Sequence, residues 1–64
     1  MINTNTMKRF RLLNDYTQKE IASFLNIRAN AYSLKENGKT KFTLEEVAKL
    51  AKLYNIKIED FFNC

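Results

Sequence analysis

The chain has 64 residues, with 11 Lys plus Arg against 7 Asp plus Glu, a net charge of +4, and no Pro, His or Trp. A single domain over residues 1–64 must spend nearly all its apolar residues on one core, because a chain this short buries only about 60% of its unfolded surface; a catalytic cleft is therefore not expected, nor an enzyme. With no His and one Cys, Cys64, a zinc finger and a disulfide-stapled mini-domain are excluded, and no cofactor or metal is expected; the polar start and the lack of a long apolar run point to the cytoplasm and away from a membrane.

Helix signals segment the chain. A first helix is predicted from a Thr4, Asn5 or Thr6 cap to Asn14, with Met7, Phe10 and Leu13 on one face. Thr17-Gln18-Lys19-Glu20 reads as a capping box, and Tyr16 with Ile21 as the hydrophobic staple around it. The second helix then runs from Gln18 to about Leu25, burying Ile21, Ala22 and Leu25. Asn26 tolerates the left-handed conformation that ends a helix, and Ile27 plugs the turn.

A third helix spans about Ala29 to Glu36 and closes on Asn37-Gly38. Lys39-Thr40-Lys41-Phe42 is a loop with Phe42 turned inward. Thr43-Leu44-Glu45-Glu46 is a second capping box. It opens a fourth helix, Leu44 to Tyr54, burying Leu44, Val47, Ala48, Leu50, Ala51 and Tyr54. Ile58 to Phe62 forms a last helical turn. No strand pattern competes, so the expected fold is all-α, a compact bundle of five short helices. Phe10, Leu13, Phe24, Leu25, Phe42, Leu50 and Phe61 are assigned to the core, and Cys64 is read as an inert thiol.

The charge is uneven. Residues 1–41 carry eight basic side chains against Asp15, Glu20 and Glu36, a balance of +5, while residues 42–64 balance to −1. The first part of the chain calls for an anionic partner. Within it, a helix of about eight residues, the tight turn Asn26-Ile27-Arg28 and another short helix have the spacing of a helix-turn-helix, whose second helix enters the DNA major groove.

These residues resemble the Cro/CI-like helix-turn-helix family of phage repressors and related small bacterial regulators. The densest matches are Tyr16-Thr17-Gln18-Lys19-Glu20-Ile21-Ala22, Glu36-Asn37-Gly38-Lys39, and Val47-Ala48-Lys49-Leu50-Ala51-Lys52 leading to Ile58-Glu59-Asp60-Phe61-Phe62. The resemblance implies a lambda-repressor-like fold and a double-stranded DNA-binding transcriptional regulator, a repressor of a phage or mobile element on a palindromic operator. It places a phosphate contact on Gln18, where free helix amides also favour an anion, with Lys19 beside it. It places further phosphate contacts around Gly38, at Asn37, Lys39 and Lys41. It implies a structural ion pair between Arg11 and Glu36.

Base reading is expected from Arg28, Ala29, Asn30, Ser33 and Leu34. Arg can clasp guanine, Asn can clasp adenine, and Ala or Leu can meet a thymine methyl; Arg28 is equally a phosphate candidate. Three positions depart from the pattern. Asn26 replaces the usual turn Gly. Arg28 replaces a Ser or Thr cap. Lys35 stands where many members carry an aliphatic residue, which leaves the facing of Leu34 and Lys35 open by one position.

One module touches too little DNA for selective binding, so a homodimer is expected, with Tyr54, Ile58, Phe61 and Phe62 as interface candidates. No small-molecule effector is expected. The alternative is an antitoxin-like or anti-repressor module that uses the same fold to bind a protein.

Overall fold

Among the described residues four α-helices, α1 (Thr4–Leu13), α2 (Gln18–Phe24), α3 (Ala29–Glu36) and α4 (Leu44–Leu53), precede a 3-10 helix over Ile58–Phe61. The computed structural model describes residues 4–62; Cys64 lies outside them. Every α-helix is stopped by a left-handed residue: φ is 59° at Asp15, 60° at Asn26, 78° at Gly38 and 57° at Asn55. Asp and Asn reach this conformation through local hydrogen bonding, and Gly through its missing Cβ.

At each stop the next amide folds back five residues, the Schellman bond. Tyr16 N–H donates to the Arg11 carbonyl (3.1 Å), Ile27 to Ala22 (2.9 Å), Lys39 to Leu34 (2.8 Å) and Ile56 to Ala51 (2.9 Å). An apolar residue at this position commonly packs back on the helix, and Tyr16, Ile27 and Ile56 do pack against the core. Lys39 occupies the fourth such position and stays exposed. The helix ends thus use three side chains for packing and leave a cation outside at the fourth.

The two capping boxes form as expected. Thr17 Oγ1 accepts from the Glu20 amide at 3.1 Å while Glu20 Oε1 accepts from the Thr17 amide at 2.8 Å. Thr43 and Glu46 repeat both distances at the start of α4. Other ends move. Thr4, Asn5 and Thr6 already lie within α1, so none of them is its cap, and Leu25 and Tyr54 cap α2 and α4 from just outside. The expected fifth helix is a four-residue 3-10 turn in which Asp60 Oδ2 accepts from the Lys57 amide at 3.1 Å.

The core consists of Met7, Ile21, Ala22, Leu25, Tyr32, Val47, Leu50, Ala51, Tyr54 and Phe61, with Phe10 and Phe42 packed against it. Phe10 joins α1 to the C-terminal elements, its ring 5.8 Å from Phe61 and 5.9 Å from Tyr54. α2 packs chiefly on α3, and α3 also on α1. Among the described residues no helix is long and apolar enough to cross a membrane.

Four core assignments are corrected. Leu13 is 70% exposed, Phe24 45% and Leu44 74%, and Ala48 is exposed as well. A helix turns about 100° per residue, so steps of three drift off the buried stripe. In α1 the stripe passes through Met7 and Arg11, which rotates Leu13 outward. Phe24 and Ala48 lie similarly off the lines through Ile21 and Leu25 and through Val47, Leu50 and Ala51. Two interface candidates are corrected by the same measure, since Tyr54 (7% exposed) and Phe61 (0%) are core residues of the folded chain. Of the four, Phe62 is exposed and Ile58 half-buried.

Candidate nucleic-acid interface

The interface is assembled around a buried carboxylate. Arg11 Nε donates to Glu36 Oε2 at 2.8 Å and its Nη2 to Oε1 at 3.0 Å, while Nη1 reaches the Tyr16 carbonyl at 2.8 Å. The fork geometry suits a planar guanidinium. It ties the end of α1, the entry to α2 and the end of α3 together. Gln18 Nε2 adds a third bond to this carboxylate, 3.1 Å to Oε1.

Burial alone would raise the Glu36 carboxyl above its usual range. The hydrogen bonds of Arg11 and Gln18, with the Tyr32 hydroxyl facing the same group, outweigh it and hold the carboxyl below that range. The Glu36 hydrogen bond likewise raises Arg11, against its partial desolvation. The Tyr32 phenol is pushed far up by burial and by the nearby carboxylate, although its oxygen lacks hydrogen-bond geometry to any partner among the described residues.

Outside this network lie the residues that sequence reasoning assigned to DNA. Arg28, Ala29, Asn30 and Leu34 are exposed on or at the start of α3, Lys19 is exposed on α2, and Asn37, Lys39 and Lys41 are exposed in the segment after α3. Gln18 is half-buried; one hydrogen of its amide nitrogen goes to Glu36, and an amide carries two. Ser33 is half-buried and accepts a long bond from Asn37 Nδ2 at 3.4 Å. Arg28 makes no side-chain cap for α3, so its guanidinium is not committed to the helix start.

The facing of Leu34 and Lys35 is resolved. Leu34 turns outward, 40% exposed. Lys35 turns toward α4, where its Nζ lies 3.0 Å from Glu46 Oε1 and 2.9 Å from the Lys41 carbonyl. The sequence did not reveal this contact, because the path of residues 37–43 decides whether two residues eleven apart can meet. A polar residue at an apolar position was the available signal. Of the eight cations in residues 1–41, Arg11 and Lys35 are therefore engaged internally, and Lys8, Arg9, Lys19, Arg28, Lys39 and Lys41 remain exposed.

A short all-helical chain with exposed cations on α2, at the start of α3 and after it is consistent with a DNA-binding helix-turn-helix protein. The chain belongs to the helix-turn-helix family, whose model matches residues 7–61. It is 34% identical over 58 residues to an uncharacterized HTH-type transcriptional regulator of Methanocaldococcus jannaschii, covering 91% of this chain and 88% of that protein. It is 36% identical over 56 residues to an uncharacterized HTH-type transcriptional regulator of Archaeoglobus fulgidus, covering 88% of this chain and 79% of the other. No solved structure matches the chain significantly. Membership implies DNA-binding regulation of transcription.

Proposed function

We propose that the chain is a sequence-specific regulator whose helix-turn-helix is α2–α3, and that it represses by occupying a palindromic operator as a homodimer, in the manner of small phage and mobile-element repressors. One observation carries this reading: Arg28 at the start of α3 and Ala29, Asn30 and Leu34 on it are exposed, as are the cations Lys19, Lys39 and Lys41. In the proposed complex the lysines, Asn37 and the second amide hydrogen of Gln18 hold phosphates. Asn30 pairs with an adenine edge, Leu34 meets a thymine methyl, and Arg28 takes a guanine or the phosphate beside it.

Size supports two copies. The Cα trace spans 26 × 22 × 19 Å, about one domain per half-site where successive major-groove faces lie about 34 Å apart.

Binding to duplex DNA, followed by fluorescence anisotropy between about 50 and 200 mM salt, tests the electrostatic part; affinity should fall by orders of magnitude through counterion release. Selection from a random pool should return a palindromic consensus. Affinity indifferent to salt together with an unenriched pool would overturn the proposal. A second reading, a protein-interaction module, draws on Leu12 and Leu13, which are 54% and 70% exposed side by side on α1. It predicts that same salt-indifferent, unenriched result.

A further inference from the structure

We propose that Lys35 is a positioning residue that sets the path of the segment carrying Lys41, and through it the number of phosphates the protein holds. The inference rests on the phosphate role given to Lys41 above.

The backbone between α3 and α4 can be accounted for group by group. Residues 37–40 are pinned by the termination of α3: Asn37 N–H donates to the Ser33 carbonyl (3.0 Å), Gly38 to Lys35 (3.1 Å), and Lys39 and Thr40 to Leu34 (2.8 and 3.3 Å). From Thr43 onward the capping box of α4 takes over. Between them, Lys41 and Phe42 make no backbone–backbone hydrogen bond among the described residues. Two contacts hold them. The Phe42 ring lies 6.0 Å from that of Tyr32, and the Lys35 ammonium donates to the Lys41 carbonyl at 2.9 Å.

The ammonium is itself anchored. Its other partner, Glu46 Oε1 at 3.0 Å, also accepts from the Thr43 amide at 2.8 Å, so Lys35 joins α3, the connecting segment and the first turn of α4 at one point. The two side chains are only 15% and 13% exposed, which limits competition from water and salt. An aliphatic residue at position 35 could fill the space of the lysine stem, but it offers no donor to the carbonyl. An ammonium with three donors serves carbonyl and carboxylate together. The clamp also withdraws the Lys35 charge from the outer face, so its effect on DNA acts through Lys41.

The test must separate position from net charge. Lys35→Met/Glu46→Gln keeps the net charge, the stem volume and an acceptor for the Thr43 amide, and removes only the clamp. Two measurements apply: backbone 15N relaxation of the free protein at Lys41 and Phe42, and affinity for a random-sequence duplex across the salt series. The variant should lose order at those two residues while α1 to α4 keep theirs. Its affinity should fall about three- to tenfold, with a log–log salt slope shallower by about one, the loss of one phosphate contact. Lys35→Arg, which restores donors, should keep most of both properties. Unchanged order at Lys41 and Phe42, or lost order with unchanged affinity and slope, would overturn the inference. If the unaltered protein binds no DNA, the DNA reading fails, and the relaxation measurement still decides whether Lys35 holds the segment. Glu46→Gln alone, which loosens the anchor and keeps the cap, supplies a second relaxation reading should the double variant not fold.

Discussion

Gln18 and Arg11 meet on one carboxylate: Glu36 Oε1 accepts from Gln18 Nε2 at 3.1 Å and from Arg11 Nη2 at 3.0 Å. The phosphate candidate at the start of α2 is thus oriented by the group that fastens α1 to α3. Stability and DNA contact share this junction. Removing one partner of the ion pair leaves the other charge stranded in the interior, which typically costs 3–5 kcal/mol. The lower end, about 3 kcal/mol, is expected for Arg11→Met, because a domain 19 Å across its short axis keeps solvent close to every buried group. Urea denaturation measures it. Replacing both partners, Arg11→Met with Glu36→Leu, should recover most of the loss; a double variant no better than the single would contradict a desolvation origin.

The same carboxylate makes stability depend on pH. The Glu36 carboxyl is held below its ordinary value of 4.5 in the folded state, burial opposing and the Arg11, Gln18 and Tyr32 contacts prevailing. Glu46 is also lowered, its desolvation outweighed by the Thr43 amide and the Lys35 ammonium. Unfolding therefore takes up protons as pH drops into the carboxylate range. Their contribution is fully present above about pH 5.5 and is lost as pH falls through 4.5 toward the folded values. Melting temperature against pH should show a plateau and then an acid limb. Glu36→Gln should flatten that limb, and an unchanged limb would assign acid lability elsewhere.

How much of this was legible in the sequence depends on the range of the interaction. Capping boxes, helix stops and the extent of α3 are local, set within four to six residues, and Thr17, Thr43, Asn26 and Gly38 announce them. Arg11 and Glu36 lie 25 residues apart and came from the family resemblance, not from spacing. Burial was legible where three- and four-residue steps alternated along one stripe, as for Val47, Leu50, Ala51 and Tyr54, and not from a four-residue step alone, since Leu44 and Ala48 are both exposed. It was misread where a step of three was extended, as for Leu13. Lys35 and Glu46 were opaque because their meeting depends on a segment with no periodicity.

Tyr54 is a buried phenol whose oxygen has no hydrogen-bond partner among the described residues, and burial pushes its ionisation up to about 12. An unsatisfied buried hydroxyl costs its desolvation without return. Tyr54→Phe should therefore be neutral or stabilising, by up to about 1 kcal/mol, keeping the ring contacts with Phe10 and Phe61. Tyr32→Phe removes a hydroxyl that faces Glu36 and should fare slightly worse. Thermal melting of both variants checks the order; a Tyr54→Phe loss above 1 kcal/mol would show that its hydroxyl is satisfied in solution.

Asn30 and Lys39 are both exposed, yet they should fail differently. Lys39→Ala removes a charge beside the backbone and should weaken every duplex alike, with the salt slope reduced by about one. Asn30→Ala removes an edge-reading amide and should cost about 1–3 kcal/mol on the selected sequence alone. Competition between selected and random duplexes distinguishes them. Equal loss on both for Asn30→Ala would remove it from the base-reading set.

Phe62 is 42% exposed beside the fully buried Phe61, with the acidic Glu59 and Asp60 also exposed. If two copies meet through this corner, an apolar ring surrounded by solvent becomes the centre of a small interface. Phe62→Asp should leave helix content and melting temperature nearly unchanged, since the ring is not part of the core. It should abolish the second copy on a duplex with two half-sites, seen as a single retarded species of one-copy mass by sedimentation. Affinity for one half-site should persist, because α3 is untouched. A Phe62→Asp protein that still loads in pairs would move the dimer contact to another surface, and a wild-type protein that loads singly would remove it.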